Sequence, residues 1–505
     1  MNETAISMIQ ELANSMALFK AETTLVIAFV TAIIADLIFK KSRHIAGIIA
    51  IIGFVVCGYF LIGQSGQNEP VFSMMLTVDP FADFFKWLIL LSSLVVVLMS
   101  FLSKELNDGG RSMGEYYTLI LGMAVGMFLL AGATNLIMIY LAIETMSLSS
   151  YVLTGYTKEV KRASEASLKY VIFGSLASGI MIYGISIIFG LTGSLNLYEI
   201  NAFINAEGLS NLAVITSGIM ILVGIAYKIS AVPFHFWTPD VYEGAPIPIT
   251  AYLSIASKAA GFAVLIRFLK ITYIDPALSA EEVWTLNIFG GLDWPELIGI
   301  LSVITMTFGN LVALWQTNAK RMLAYSSIAH AGYMLMGVAV MTDAGILGVL
   351  VYFLTYLIMN LGAFYVILLI ANKTGSEELD DYTGLGYRAP ALGVAMTIFL
   401  ISLTGLPPTV GFIGKFFLFA AVIDAGWIWL AVIGVLNSVV ALFYYVKIFR
   451  NMWVRGVEAS DEKLSYSPAA KVLLYALAIP ALYFGIFYSP IVAWAENSVK
   501  IFFGM

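Results

Sequence analysis

The chain has 505 residues, 60% of them hydrophobic and only 11% charged, and its 26 basic and 32 acidic residues give a net charge of −6. Soluble domains carry roughly 25% charged residues, so this composition excludes one. A mean hydropathy of +0.91 instead leaves room for many helices of about 20 apolar residues, each crossing ~30 Å of hydrocarbon. One cysteine, Cys57, and three histidines, His44, His235 and His330, are too few for an intrachain disulfide, an iron–sulfur cluster or a structural zinc. No metal site is expected, and no long basic run points to nucleic acid.

Glu3, Glu11 and Lys20 precede the first apolar run without the basic head and small-residue cleavage site of a secretory signal, so that run is read as a retained span. In chain order, apolar runs predict spans at 22–39, 45–63, 82–102, 115–132, 134–155, 167–191 and 212–232. They continue at 247–269, 297–317, 322–341, 344–371, 392–423, 426–449 and 470–495. The predicted fold class is therefore an all-α polytopic membrane protein of about fourteen transmembrane helices. The longest polar stretches, around 192–211, 271–296, 373–391 and 455–469, read as loops, and Trp284 and Trp294 suit a membrane interface.

Lys and Arg collect at alternate loops and helix ends, as the positive-inside rule requires. One side holds eighteen, including Lys40, Lys41, Arg43, Lys104, Arg111, Lys158, Lys161, Arg162, Lys169, Lys320, Arg321, Lys447 and Arg455, and the other only Lys20, Arg267, Lys270 and Lys500. A missed or invented span in mid-chain would scramble this bias. It places both termini on the non-cytoplasmic side of the membrane.

Lys86, Lys228, Lys258 and Lys415 fall inside apolar segments. A charge at mid-bilayer costs roughly 2.5 to 3.5 kcal/mol, so each must face protein or water and is a functional candidate. Lys86 lies near the start of its span beside Asp79 and Asp83, which suits interfacial pairing or snorkelling. Glu144, about ten residues into its span, and Lys258 both lie near the midplane. Lys228 precedes Pro233, which removes a backbone donor and clashes with the preceding turn, while Lys415 follows Gly405-Leu406-Pro407-Pro408. Two broken helices thus each carry a lysine, and unwound backbone at membrane depth is tolerated only inside protein or against a wet cavity.

These features recur with a spacing that predicts an internal repeat. Residues 115–270 and 297–450 each hold five spans with the broken, lysine-bearing helix fourth, between an N-terminal three-helix unit at 1–114 and a C-terminal loop and last helix at 451–505. An odd number of spans per unit makes the two five-helix repeats inverted. A lysine in a low-dielectric site holds its proton less firmly, and a neighbouring carboxylate restores its hold. The row Glu144, Lys228, Lys258, His330 and Lys415 can therefore pass protons, with His330 a possible relay and His235, just after the first break, either an entry group or a cap. A structural reading, in which these charges only tie helices together, stays open at this point.

The stretch YKISAVPFHFWTPDVYEGAPIPITAYLSIASKAAGFA, from Tyr227 to Ala263, resembles the signature of the subunit N family of proton-pumping NADH:quinone oxidoreductase, respiratory complex I. NAKRMLAYSSIAHAGY (Asn318 to Tyr333) and GLPPTVGFIGKFFLF (Gly405 to Phe419) are similar to it as well. The resemblance covers nearly the whole chain. It implies a membrane-arm chain of the bacterial cytoplasmic (inner) membrane that translocates protons beside other antiporter-like and small helical subunits and lipids. NADH, flavin, iron–sulfur clusters and quinone would belong to partner subunits, and this chain carries no G-x-G-x-x-G dinucleotide fingerprint. By resemblance Glu144 and Lys228 are the controlling pair, Lys258 and His330 pass the proton laterally, and Lys415 is the terminal donor. The alternative is a subunit of a multisubunit cation/proton antiporter.

Overall fold

The computed structural model describes residues 3–39, 42–108, 112–207, 212–274, 287–289, 292–454 and 463–501. The chain opens with α1 (Glu3–Leu18), α2 (Lys20–Ile38) and α3 (Ile45–Gln64), and an antiparallel hairpin of β1 (Glu69–Val71) and β2 (Leu76–Val78) leads into α4 (Pro80–Leu102) and the short α5 (Lys104–Asn107). Next come α6 (Gly114–Gly132), α7 (Leu136–Thr154), α8 (Lys161–Thr192), α9 (Leu197–Glu207), α10 (Leu212–Ile229) and α11 (Trp237–Gly244). A central helix follows, made of α12 (Ile247–Tyr252), a π-turn (Leu253–Ser257) and α13 (Lys258–Thr272). Strands β3 (Asn287–Phe289) and β4 (Leu292–Asp293) precede α14 (Trp294–Ala313), α15 (Ala319–Val340) and α16 (Asp343–Thr374). After α17 (Leu385–Arg388) come α18 (Pro390–Thr404), α19 (Val410–Asp424), α20 (Ile428–Trp453), α21 (Pro468–Ile486) and α22 (Ser489–Ser498).

Helix starts follow the local chemistry. Asp79 caps α4 by accepting from Ala82 N at 2.7 Å with Pro80 as the first helical residue, and Asn135, Asn318 and Thr342 cap α7, α15 and α16. Asp293 and Glu296 form a reciprocal capping box at the start of α14.

Among the described residues thirteen helical segments are long and apolar enough to cross a membrane. The fourteenth predicted crossing, 392–423, is not one helix: α18 and α19 make it together, with residues 405–409 between them. The predicted 470–495 span likewise divides into α21 and α22, because Pro490 lacks the N–H that would continue the first helix and sits in the first turn of the second. The loop predicted at 192–211 contains α9. Trp284, Lys40, Lys41, Arg111 and Arg455 lie outside the described residues. Trp294 is buried, stacked on Tyr273 with ring centroids 4.7 Å apart, rather than spread at an interface.

Burial ranks the helices. The apolar windows of α12–α13 and α16 are 100% buried and that of α15 94%, whereas those of α2 and α8 are 33% and that of α21 28%. The three buried helices form the axis on which Lys258 and His330 stand. The outer helices expose apolar rows such as Ile27, Ile34 and Leu37, which suits hydrocarbon or a partner helix.

Two buried ion pairs hold the N-terminal helices, one joining α2 to α4 and the other joining the start of α4 to this axis. Lys86 is paired rather than snorkelling: its Nζ lies 2.7 Å from Glu22 Oε1 on α2, with both side chains almost fully enclosed. Arg267, expected at a helix end, lies wholly inside α13 and clamps Asp79 with two hydrogen bonds, Nη1 to Oδ2 at 2.7 Å and Nη2 to Oδ1 at 2.8 Å. Such a forked pair satisfies both carboxylate oxygens in one plane.

Candidate functional site: a row of buried cations

The first break ends α10 one residue after Lys228. Ser230 takes the left-handed conformation (φ 62°), and a cis bond joins Val232 to Pro233. Side chains take up backbone groups this frees: Trp237 Nε1 donates to Tyr227 O at 3.0 Å and Val232 N donates to Thr305 Oγ1 at 3.0 Å, while Thr238 Oγ1 donates to the Ser230 side chain, Oγ, at 2.8 Å. Irregular backbone is thereby satisfied inside protein. Lys228 Nζ faces the rings of Tyr170 and Tyr151 at 5.4 and 5.9 Å and reaches the Tyr170 hydroxyl only at 3.5 Å. Glu144 accepts a short hydrogen bond from Ser178 Oγ, and no ion pair within 4.0 Å joins it to Lys228 among the described residues. The pair stands apart in this conformation.

Lys258 begins α13 directly after the π-turn, a widening that recurs at functional positions. Its Nζ donates to Ser327 O at 2.8 Å and to Ser327 Oγ at 2.9 Å. One turn on, Gly261 lies against Lys228, where a Cβ would stand 3.6 Å from Lys228 Cβ and 2.7 Å from Ile229 Cγ2. The close approach of α10 to α13 sets Lys228 and Lys258 on neighbouring turns.

On α15, Ser327, His330 and Tyr333 follow at three-residue intervals, so each lies about one turn beyond the last on a slowly rotating face. His330 Nδ1 shares a hydrogen bond with Tyr352 OH at 2.6 Å and its Nε2 one with Tyr445 OH at 3.1 Å, and Tyr445 OH in turn bonds Ser326 Oγ at 2.5 Å. Tyr333 offers its ring face to Lys415, whose Nζ lies 4.6 Å from the centroid. The three residues make a ladder from Lys258 to Lys415.

The second break anchors Lys415 as the first places Lys228. Gly405 takes φ +88° at the end of α18, a cis bond joins Pro407 to Pro408, and Lys415 Nζ donates to the freed carbonyl of Thr404 at 2.8 Å and to Ser438 Oγ at 3.0 Å. A Cβ at Gly405 would stand 2.5 Å from Lys415 Cδ. Gly405→Ala therefore adds left-handed strain of about 1–2 kcal/mol and pushes the lysine off Thr404. The expected result is a lowered melting temperature together with a several-fold weaker proton gradient, measured on the purified complex in proteoliposomes; loss of stability at an unchanged gradient would contradict this placement of Lys415.

His235 is buried but apart from the row. Its ring packs on Phe236 and Phe308 with centroids 4.5 and 4.4 Å away, and Nδ1 has no hydrogen-bond partner among the described residues. The structure thus gathers Lys228, Lys258, His330 and Lys415, sets Glu144 to one side of Lys228, and leaves His235 against α14. Sequence reasoning missed Ser327, Tyr333, Tyr352, Ser438 and Tyr445. The spacing of Ser327, His330 and Tyr333 carried a readable signal, whereas the residues of α16 and α20 meet the row only through the fold.

Toward the basic face a half-buried network clamps the second half of the first broken helix. Asp240 of α11 meets Lys169 at 2.6 Å and Arg321 at 2.7 Å, and Glu243 meets Arg321 at 2.8 Å and Arg162 at 3.2 Å. Burial pushes the Asp240 carboxyl up, but Lys169 and Arg321 outweigh it and hold it below the usual carboxylate range. The stabilisation it supplies is fully present above the ordinary carboxylate value of about 3.9 and is lost only as pH falls through its lower folded value, so the clamp keeps its charge across the neutral range. No group of three or more metal-ligating side chains occurs among the described residues.

Residues 133–441 match the family model described as NADH:quinone oxidoreductase/Mrp antiporter, transmembrane. NADH-quinone oxidoreductase subunit N 2 of Chloroherpeton thalassium is 47% identical over 503 residues, covering 98% of this chain and 97% of that one. The chain belongs to the NADH:quinone oxidoreductase subunit N family. A chain of respiratory complex I from Thermus thermophilus with bound aureothin is 29% identical, with a TM-score of 0.78 over 94% of this chain and 99% of that one. A chain of the Mrp complex from Dietzia sp. DQ12-45-1b, 20% identical, shares the fold with a TM-score of 0.79 over 97% and 98%. The match spans both breaks, the π-turn and the ladder on α15. As a subunit N family member the chain is an integral membrane subunit of an NADH-quinone oxidoreductase.

Proposed function

We propose that this chain moves protons through the membrane arm of NADH:quinone oxidoreductase along Lys228, Lys258, His330 and Lys415, with Glu144 setting the charge of Lys228. The observation that supports it is the ladder itself: buried basic side chains on α13, α15 and α19 connected along α15 by Ser327 and Tyr333, with Lys228 of α10 packed against α13 at Gly261 and no carboxylate within ion-pair distance of Lys258 or Lys415 among the described residues. An unpaired cation in such a site is expensive, so it is poised to give up its proton. When Glu144 approaches, the charged form of Lys228 is favoured; when it retreats, as here, the proton passes toward Lys258. His330, bonded on both ring nitrogens, relays it, and Lys415 releases it to the far side.

In this reading the basic face is cytoplasmic and both termini face outward. The functional units are an N-terminal three-helix unit to residue 114, inverted repeats at 115–270 and 297–450, and a C-terminal remainder from 451. NADH, flavin, iron–sulfur clusters and quinone are held by partner subunits, and lipids and other membrane-arm subunits cover the outer helices. A subunit of a multisubunit cation/proton antiporter shares the fold, but the subunit N relatives favour the first reading. Purification from native membranes separates the two. Co-purification with NADH-driven quinone reduction, and acidification that does not depend on sodium, is expected; recovery with small antiporter subunits and no quinone reduction would overturn the proposal.

A further inference from the structure

A cavity of about 820 Å³ opens on the basic face beneath the first turn of α12. Its wall carries both signs of charge, with Lys104, Arg162, Asn372, Glu377 and Glu378, and Ile247 begins the central helix there. Glu377 reaches from this wall to Lys320, Oε1 to Nζ at 2.7 Å, and while Glu377 is 22% exposed the lysine is only 3% exposed. Lys320 Nζ also donates to the carbonyl of Ala245, the residue just after α11, at 2.9 Å. The lysine therefore stands between a wet space and the interior, held by one carboxylate and one backbone carbonyl.

Polar groups continue inward from it. Ser327, the acceptor for Lys258, lies seven residues further along α15, within about 20° of the same face and about 10 Å deeper. Tyr242 of α11 and Tyr356 of α16 stand beside Ser327. Ser257 Oγ next to Lys258 and Asn360 Oδ1 across from Ser254 are buried without a hydrogen-bond partner among the described residues. Buried polar atoms of this kind are satisfied by ordered water where the site is polar. Two such atoms beside Lys258 and the two tyrosine hydroxyls at Ser327 surround the α15 segment inward of Lys320 with polar groups.

We infer that this cavity is a proton-uptake mouth that supplies Lys258 directly, beside the supply from Lys228, and that the Lys320–Glu377 pair inward of its wall gates that passage. The inference rests on the conduit reading above. Cavity water protonates the Glu377 carboxylate, which loosens the ion pair. The freed Lys320 ammonium gives a proton through water and the Tyr242 and Ser327 hydroxyls to the neutral amine of Lys258. Lys320 then recovers a proton from Glu377, so one proton moves inward and the pair closes again.

The test uses the intact complex in proteoliposomes, with assembly measured by NADH:ferricyanide activity and pumping by the proton gradient per NADH oxidised. Glu377→Gln and Lys320→Met are expected to lower the gradient about ten-fold, and Glu377→Asp and Lys320→Arg to restore most of it. Ala371→Trp, which fills the cavity from its wall without touching the pair, is expected to lower it as well and covers the case in which a charge variant fails to assemble. Normal pumping by Glu377→Gln, Lys320→Met and Ala371→Trp, while Lys258→Met loses it, overturns the uptake mouth alone. Normal pumping by all four, Lys258→Met included, overturns the conduit reading too.

Discussion

Lys258→Met in the assembled complex is expected to abolish NADH-driven proton translocation, a loss of about 10²-fold or more, while leaving assembly unchanged. The split follows from the surroundings. Among the described residues Lys258 Nζ has only Ser327 O and Oγ as partners, and Ser327 Oγ keeps its own bond to Ala324 O at 2.9 Å when the ammonium is gone. Methionine fills nearly the same volume, and replacing a buried charge by a well-packed apolar side chain is often neutral or stabilising by about 1–4 kcal/mol. A purely structural lysine would behave in the opposite way, losing stability at unchanged pumping. Gradient formation and the melting temperature of the same preparation, measured side by side, decide between them.

Arg267→Met is expected to show the reverse pattern, with a large loss of stability. Asp79 is wholly buried, and the forked pair with Arg267 is what compensates its charge, beside its capping bond to Ala82 N and a bond from Thr77 Oγ1 at 3.3 Å. Removing one partner of a buried pair costs about 3–5 kcal/mol, because the other charge stays enclosed. Arg162→Met, which cuts an ion pair whose arginine side chain is 71% exposed, is expected to cost less than about 1 kcal/mol. Asp79→Asn added to Arg267→Met removes the stranded charge and is expected to recover much of the loss, the Asn side chain still capping α4. Thermal unfolding of the purified complex measures all three; equal melting temperatures for Arg267→Met and Arg162→Met would contradict the buried clamp.

The membrane architecture and the key lysines were legible because their signals are local. An ammonium in an apolar run and a Pro-Pro pair after glycine stand out within one helix length, and Lys228, Lys258 and Lys415 all lie inside the fold. The 392–423 segment shows the limit of that logic, since its apolar content is continuous while Gly405 and the prolines end one helix and start another. Long-range partners left no trace. Arg267 read as a helix-end cation because Asp79 lies 188 residues earlier, and Lys86 read as interfacial because Glu22 sits on another helix. Glu144 and Lys228 were expected as a pair that opens and closes, and which state the fold holds was not legible: Ser178 holds the carboxylate and tyrosine rings face the ammonium. Sequence showed which charges are out of place, and packing decided how far apart they stand.

The most direct test of the conduit is a map of the intact complex at a resolution that shows ordered water. Water is expected on Ser257 Oγ, Asn360 Oδ1 and the hydroxyls of Tyr242 and Tyr356, joining Lys320 to Lys258, and bridging onward past His330 to Lys415. Tightly filled, dry side-chain packing between Lys258 and Lys415 would contradict the account.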